Sequence, residues 1–62
     1  FFNRAGIPQY LARAHLEIGI VRKRQGNIRA ARKELKEALR LAREVNAKQL
    51  VGLAEQQLKE LA

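Results

Sequence analysis

His15, Tyr10 and six glutamates are the groups that could move a proton in this sequence, and thirteen lysines and arginines are those that could hold an anion. Cysteine, serine, threonine and aspartate are all absent, so the Tyr10 phenol is the one hydroxyl and no thiol exists. His15 and Glu17 stand two apart, and residues at that spacing point to different sides of a helix. They do not form a catalytic dyad, and His15 reads as a helix-packing residue rather than an acid–base group. One histidine without cysteine or aspartate does not make up a tetrahedral metal site. No glycine-rich phosphate loop is present, and Gly26 alone is punctuation. The expectation is a protein that is not an enzyme, with no catalytic residue, metal or cofactor.

The remaining chemistry is charge. The formal net charge is +7, which favours anionic partners: an acidic protein surface, nucleic acid or anionic membrane. Two basic groups stand out. Arg22, Lys23 and Arg24 form a run immediately before Gln25-Gly26-Asn27. Arg29, Arg32, Lys36, Arg40 and Arg43, with Lys33, gather on one side of the following helical segment. Read functionally, Arg29, Arg32, Lys36, Arg40 and Arg43 are candidate phosphate-contacting residues of a nucleic-acid-binding module. Read structurally, they are the solvated face of a helix. A helix-turn-helix beginning at Gly26-Asn27 would need a second turn within a few residues. Arg32 to Val45 instead continues as unbroken helix formers, and aromatic residues for stacking on single strands are few. Nucleic acid therefore ranks second, behind a protein or peptide partner of acidic character.

These groups need elements to position them. Sixty-two residues allow one small domain, and a chain of this size buries only about 60% of the surface its unfolded form exposes. Without disulfides, stability must come from regular helix packing, from oligomerisation, or from both. The chain opens on Phe1-Phe2 rather than Met, as a piece of a longer protein, natural or designed, would. No apolar run approaches the roughly 18 residues of a membrane span, nor a secretory signal; the expectation is a cytoplasmic protein without a membrane partner.

Residues 1–7 read as an N-terminal extension. A first helix is expected over 8–24, because Pro8 is pre-set for a first helical turn and Tyr10, Leu11, Ala14, Ile18 and Val21 recur at helical spacing. Gly26 can take the left-handed conformation that stops a helix, and Asn27 can cap the next. That helix, over 28–45, carries the stripe Ile28, Ala31, Leu35, Ala38, Leu39, Ala42 and Val45 on one side. Lys33–Glu37 and Arg40–Glu44 have the spacing of stabilising ion pairs. Asn46 marks a second break, capping a third helix over 47–61 with Leu50, Val51, Ala54, Leu58 and Leu61 as its apolar face. Gly52 inside that helix costs about 1 kcal/mol against alanine, and a close helix–helix contact would give it a reason. The fold class is all-α, an antiparallel helical hairpin plus a third helix.

The first and third helices match each other. At a shift of forty residues Tyr10, Leu11, Ala14, Ile18 and Val21 fall on Leu50, Val51, Ala54, Leu58 and Leu61, the sign of a helical repeat. Within one period the sequence Ala14-His15-Leu16-Glu17-Ile18-Gly19, Gly26-Asn27-Ile28, Ala31, Leu35 and Ala38-Leu39 resembles the tetratricopeptide repeat (TPR), in its longer form of bacterial signalling arrays. The resemblance covers about residues 8–62, one and a half repeats. It departs from the family where His15 replaces a large aromatic, Arg22 a common tyrosine and Arg43 a terminal proline. It implies an α-solenoid fragment in which Gly19 and Ala31 let two helices approach and Leu35 fills the gap. It also implies a concave partner-binding groove lined by Arg13, Leu16, Ile20, Lys23 and Arg24. Family members that clamp a C-terminal carboxylate use Lys and Asn at the positions of Leu16 and Ile20, so that activity is not expected. The expected function is scaffolding through protein–protein contacts, with homo-oligomerisation through faces left uncovered.

Overall fold

The computed structural model describes residues 6–61, with side chains from residue 9 onward. The described residues form three helices: α1 (Gly6–Arg24), α2 (Ile28–Glu44) and α3 (Lys48–Leu61). This is the expected all-α hairpin with a third helix. α1 starts two residues before Pro8, so Gly6 and Ile7 belong to the helix and the rest of the expected 1–7 extension lies outside the described residues. Proline is tolerated there because the amide it lacks has no partner in a first turn.

Both breaks use the same device. Gly26 has a φ of 81°, its N–H donates to the Lys23 carbonyl, and the Asn27 N–H donates to the Arg22 carbonyl at 2.9 Å. At the second break Asn46 has a φ of 59°, its N–H donates to the Arg43 carbonyl, and the Ala47 N–H donates to the Ala42 carbonyl at 2.9 Å. This paired bonding satisfies the last carbonyls of a helix through one left-handed residue. Asn46 therefore ends α2 and does not cap α3, as its sequence context suggested. Asparagine tolerates the left-handed region better than most residues, which is what that stop requires. Asn27 does cap α2: its side chain accepts from the Ala30 N–H at 3.4 Å.

α1 and α2 run antiparallel, with His15 opposite Glu34 and Gly19 against Ala31 and Leu35. α3 lies along both and runs with α1: Arg13 shares a groove with Gln49 and Leu50, and Lys23 reaches Gln57. The core is Leu16, Leu35, Ala38 and Ala54, with Ile20, Leu39, Leu50, Leu58 and Leu61 packed around it.

The orientation of α1 corrects the expected burial. Tyr10, Leu11, Ile18 and Val21 remain 71%, 41%, 41% and 48% exposed, while Ala12 and Leu16 are buried at 1% and 5%. α1 is apolar on two sides, so its spacing could not select one. Gly19 lies on the buried side, where α2 approaches so closely that a Cβ would strike Leu35. Gly52, in contrast, is exposed and a Cβ there would meet nothing within 4 Å, so the expected close contact at Gly52 does not exist. Gly52→Ala should raise stability by about 1 kcal/mol, read as a higher midpoint in urea at unchanged slope. A neutral or destabilising result would mean that Gly52 meets a partner.

Candidate interaction surface

Two surfaces and one groove emerge from this packing. The groove runs between α1 and α3 and is lined by Arg13, Leu16, Glu17, Ile20, Gln49, Leu50 and Leu53. It contains three of the five groove residues expected from the family resemblance. Leu16 forms its floor, buried beneath α3 rather than open as expected, and Ile20 is half-buried against the core. Arg13 is exposed and pairs with Glu17 at 3.7 Å. Lys23 is not a free rim charge: its Nζ donates to Gln57 Oε1 at 3.1 Å and pairs with Glu60, tying α1 to α3. Arg24 is exposed and has no ion pair among the described residues. The expected basic rim therefore reduces to Arg24, because α3 supplies the acid that Lys23 alone cannot reveal.

The basic side of α2 divides in two. Arg29, Arg32, Lys33 and Lys36 line a shallow, open hollow and have no ion pair among the described residues. Arg40 donates to Glu37 at 3.1 Å and pairs with Glu44, and Arg43 donates to Glu55 at 3.2 Å. Of the five candidate phosphate contacts, Arg40 and Arg43 are thus already held by carboxylates. Lys33 joins the unpaired group because Glu37, its expected partner, bonds Arg40 instead. The Arg40 hydrogen bond and charge lower the Glu37 carboxyl below its ordinary range.

His15 sits in the α1–α2 seam, where its Nδ1–H donates to Glu34 Oε1 at 2.7 Å. Among the described residues no group of three metal-binding side chains forms, and no helix is long and apolar enough to cross a membrane.

The second surface is one that helical spacing alone places in the core. It is the outer side of α1, where Tyr10, Leu11, Ile18 and Val21 lie bare. On α3 the matching residues Leu50, Val51, Leu58 and Leu61 are half-buried, and Ala54 is fully buried. The same pattern therefore meets a covering helix in one place and solvent in the other. The signal in the sequence was the repeat itself, since covering this side of α1 takes a helix placed as α2 is placed for α3.

The Lys23–Glu60 tie gives the fold a pH dependence. Hydrogen bonds from Lys23, then Gln56, and the Lys23 charge lower the Glu60 carboxyl from the ordinary 4.5. A carboxyl lowered in the folded state stabilises it above the unfolded value, and that share is lost as pH falls through the folded value. The thermal midpoint should therefore drop as pH is lowered from about 4.5. The drop should be shallower in Glu60→Gln, and in high salt, which screens exposed charges. Parallel pH profiles for the two proteins would show that the tie contributes nothing.

Among curated proteins, the chain is 35% identical over 55 residues to Protein MRG3-like of Saccharomyces cerevisiae. The alignment covers 89% of this chain, which spans 12% of the length of that relative. No family model matches the chain, and no solved structure matches it.

Proposed function

We propose that the chain is a non-catalytic, TPR-like helical-repeat module that binds protein through the outer face of α1. The observation that carries this reading is the row of bare apolar side chains, Tyr10, Leu11, Ile18 and Val21, on a helix whose other side is already packed. Exposed apolar patches of this kind mark interaction sites. The TPR assignment is supported by the close fit of Gly19 against Leu35 and Ala31. It is also supported by the parallel course of α1 and α3 at roughly one repeat's separation. The absence of cysteine, serine, threonine and aspartate from the sequence supports a binding role over an enzymatic one. A cytoplasmic setting belongs to the same proposal.

In isolation the bare face should drive self-association. Light scattering across a range of protein concentrations should give masses above the 7.1 kDa monomer. Ile18→Lys, which adds a charge at an exposed position, should return the protein to a monomer of unchanged helix content. A wild-type monomer at every concentration, or association indifferent to Ile18→Lys, would count against the α1 face.

A second reading rests on Arg29, Arg32, Lys33 and Lys36, unpaired on one side of α2. With no apolar residue among them, they suit the phosphates of a nucleic acid backbone. Each phosphate contacted would steepen the log–log salt dependence of duplex binding by about 0.9. A slope near zero would remove this reading.

A further inference from the structure

We infer that the outer face of α1 seats a helix of α2's pattern, antiparallel to α1. This rests on the reading of that face as a protein-binding surface and names what covers it.

The molecule carries the template for the contact. Leu50, Val51, Ala54, Leu58 and Leu61 stand forty residues after Tyr10, Leu11, Ala14, Ile18 and Val21. On α3 Leu50, Ala54, Leu58 and Leu61 of this set are covered, in packing that includes Leu35, Ala38 and Leu39 of α2 as well as Leu16 and Ile20 of α1. Side chains of matching size at the same spacing fit the same complement: leucines to interdigitate, and alanines to let the axes close. α2 runs antiparallel to α3, which sets the direction of the helix on α1.

The residues of α1's first turn hold the same register. Gln9 falls on Gln49, and Pro8 falls on Lys48, the first residue of α3. Proline is favoured in a first helical turn. Gly6 falls on Asn46, the residue whose φ of 59° ends α2. Gly6 is helical here, as the first residue of α1, and glycine can exchange that for the left-handed conformation at no steric cost. Residues able to stop one helix and start the next thus stand in the first turn of α1, at the register of the α2–α3 junction.

The opposite side of the stack has no such vacancy. Ala12, Leu16 and Gly19, through which α1 meets its neighbours, correspond to Gly52, Gln56 and Lys59 on α3. Those three positions are exposed, with no large apolar side chain among them, the character of a solenoid's solvent-facing end. A second copy of the chain does not supply the complement, because its Leu35 and Ala38 are already enclosed by its own α1 and α3.

The test is to fuse a copy of residues 27–40 in front of Phe1 of the whole chain, so that Phe1 takes the place of Leu41. The added helix should raise the thermal midpoint by about 5–10 °C, increase helix content and reduce binding of an apolar dye. Measured at a protein concentration low enough for the parent chain to be monomeric, Ile18→Lys should cancel the rise in the extended chain while leaving the midpoint of the parent chain almost unchanged. An extension that gives no rise, or a rise that survives Ile18→Lys, overturns the inference. If the extension fails while Ile18→Lys still dissociates the parent chain, the α2-type helix is wrong and the binding face stands. If both tests fail, both readings fall.

Discussion

Leu35→Ala should leave the protein largely unfolded at room temperature. Leu35 is 0% exposed and is the largest fully buried side chain among the described residues. It belongs to α2 but sits where all three helices meet, touching Gly19 of α1 and clustered with Leu16, Ala38 and Ala54. Removing a buried leucine down to its Cβ costs about 2–5 kcal/mol, the spread reflecting how far the surroundings collapse into the space. Collapse is hindered here because Ala38 and Ala54 have no side-chain length with which to follow. A domain of this size holds roughly 3–9 kcal/mol in total. The loss should therefore consume most of the margin, read as a collapse of the urea midpoint and of the far-ultraviolet helix signal at low protein concentration. A variant that keeps a cooperative transition within about 1 kcal/mol of wild type would mean that Leu35 does not carry the core. Ile18→Lys is the contrasting case, since Ile18 lies on the bare side of α1 and should cost little.

The helices and their breaks were legible because their causes are local. Gly26 stops α1 by a backbone conformation that few other residues adopt, and Asn27 caps α2 with its own side chain. The Gly19–Leu35–Ala31 contact was legible through a family resemblance, and the structure places the three residues together. What could not be read was the side of α1 that meets the core. Leu11, Ile18 and Val21 are as apolar as Leu16 and Ile20, and helical periodicity weighs both sides alike. The decision lies in tertiary contacts: a glycine on one side admits α2, and α3 then closes over Leu16. Ion pairing failed to be legible for a related reason. Glu37 is within reach of Lys33 and Arg40, and spacing alone does not say that Arg40 takes it. Lys23 looked like a free groove charge until Glu60 and Gln57, more than thirty residues away, came into reach. Asn46 was read as a cap for the helix after it when its left-handed backbone serves the helix before it.

Gly19 should be the position least tolerant of added volume. A Cβ built there would lie 2.7 Å from both Cγ and Cδ2 of Leu35 and 3.4 Å from the Ala31 carbonyl oxygen. Leu35 cannot yield easily, because the clash includes its branch carbon and it is enclosed by the core. Two effects oppose each other in Gly19→Ala. Alanine is better than glycine in a helix interior by about 1 kcal/mol, while overpacking a filled core costs about 1–3 kcal/mol. The clash should win narrowly, giving a modest net loss. In Gly19→Leu the propensity gain is no larger and three more carbons must enter the seam. That substitution should separate α1 from α2, costing about 3 kcal/mol or more and leaving little cooperative structure. The decisive measurement is a double-mutant cycle. Leu35→Ala removes the atoms that Gly19→Ala would strike, so in that background Gly19→Ala should turn from destabilising to stabilising by about 1 kcal/mol. If the background is too unstable to titrate, Leu35→Val keeps Cγ atoms in the seam and should show a partial shift in the same direction. A Gly19→Ala effect of equal size in both backgrounds would mean that the glycine is not there to make room for Leu35. The selection of α1's inner face would then need a different cause.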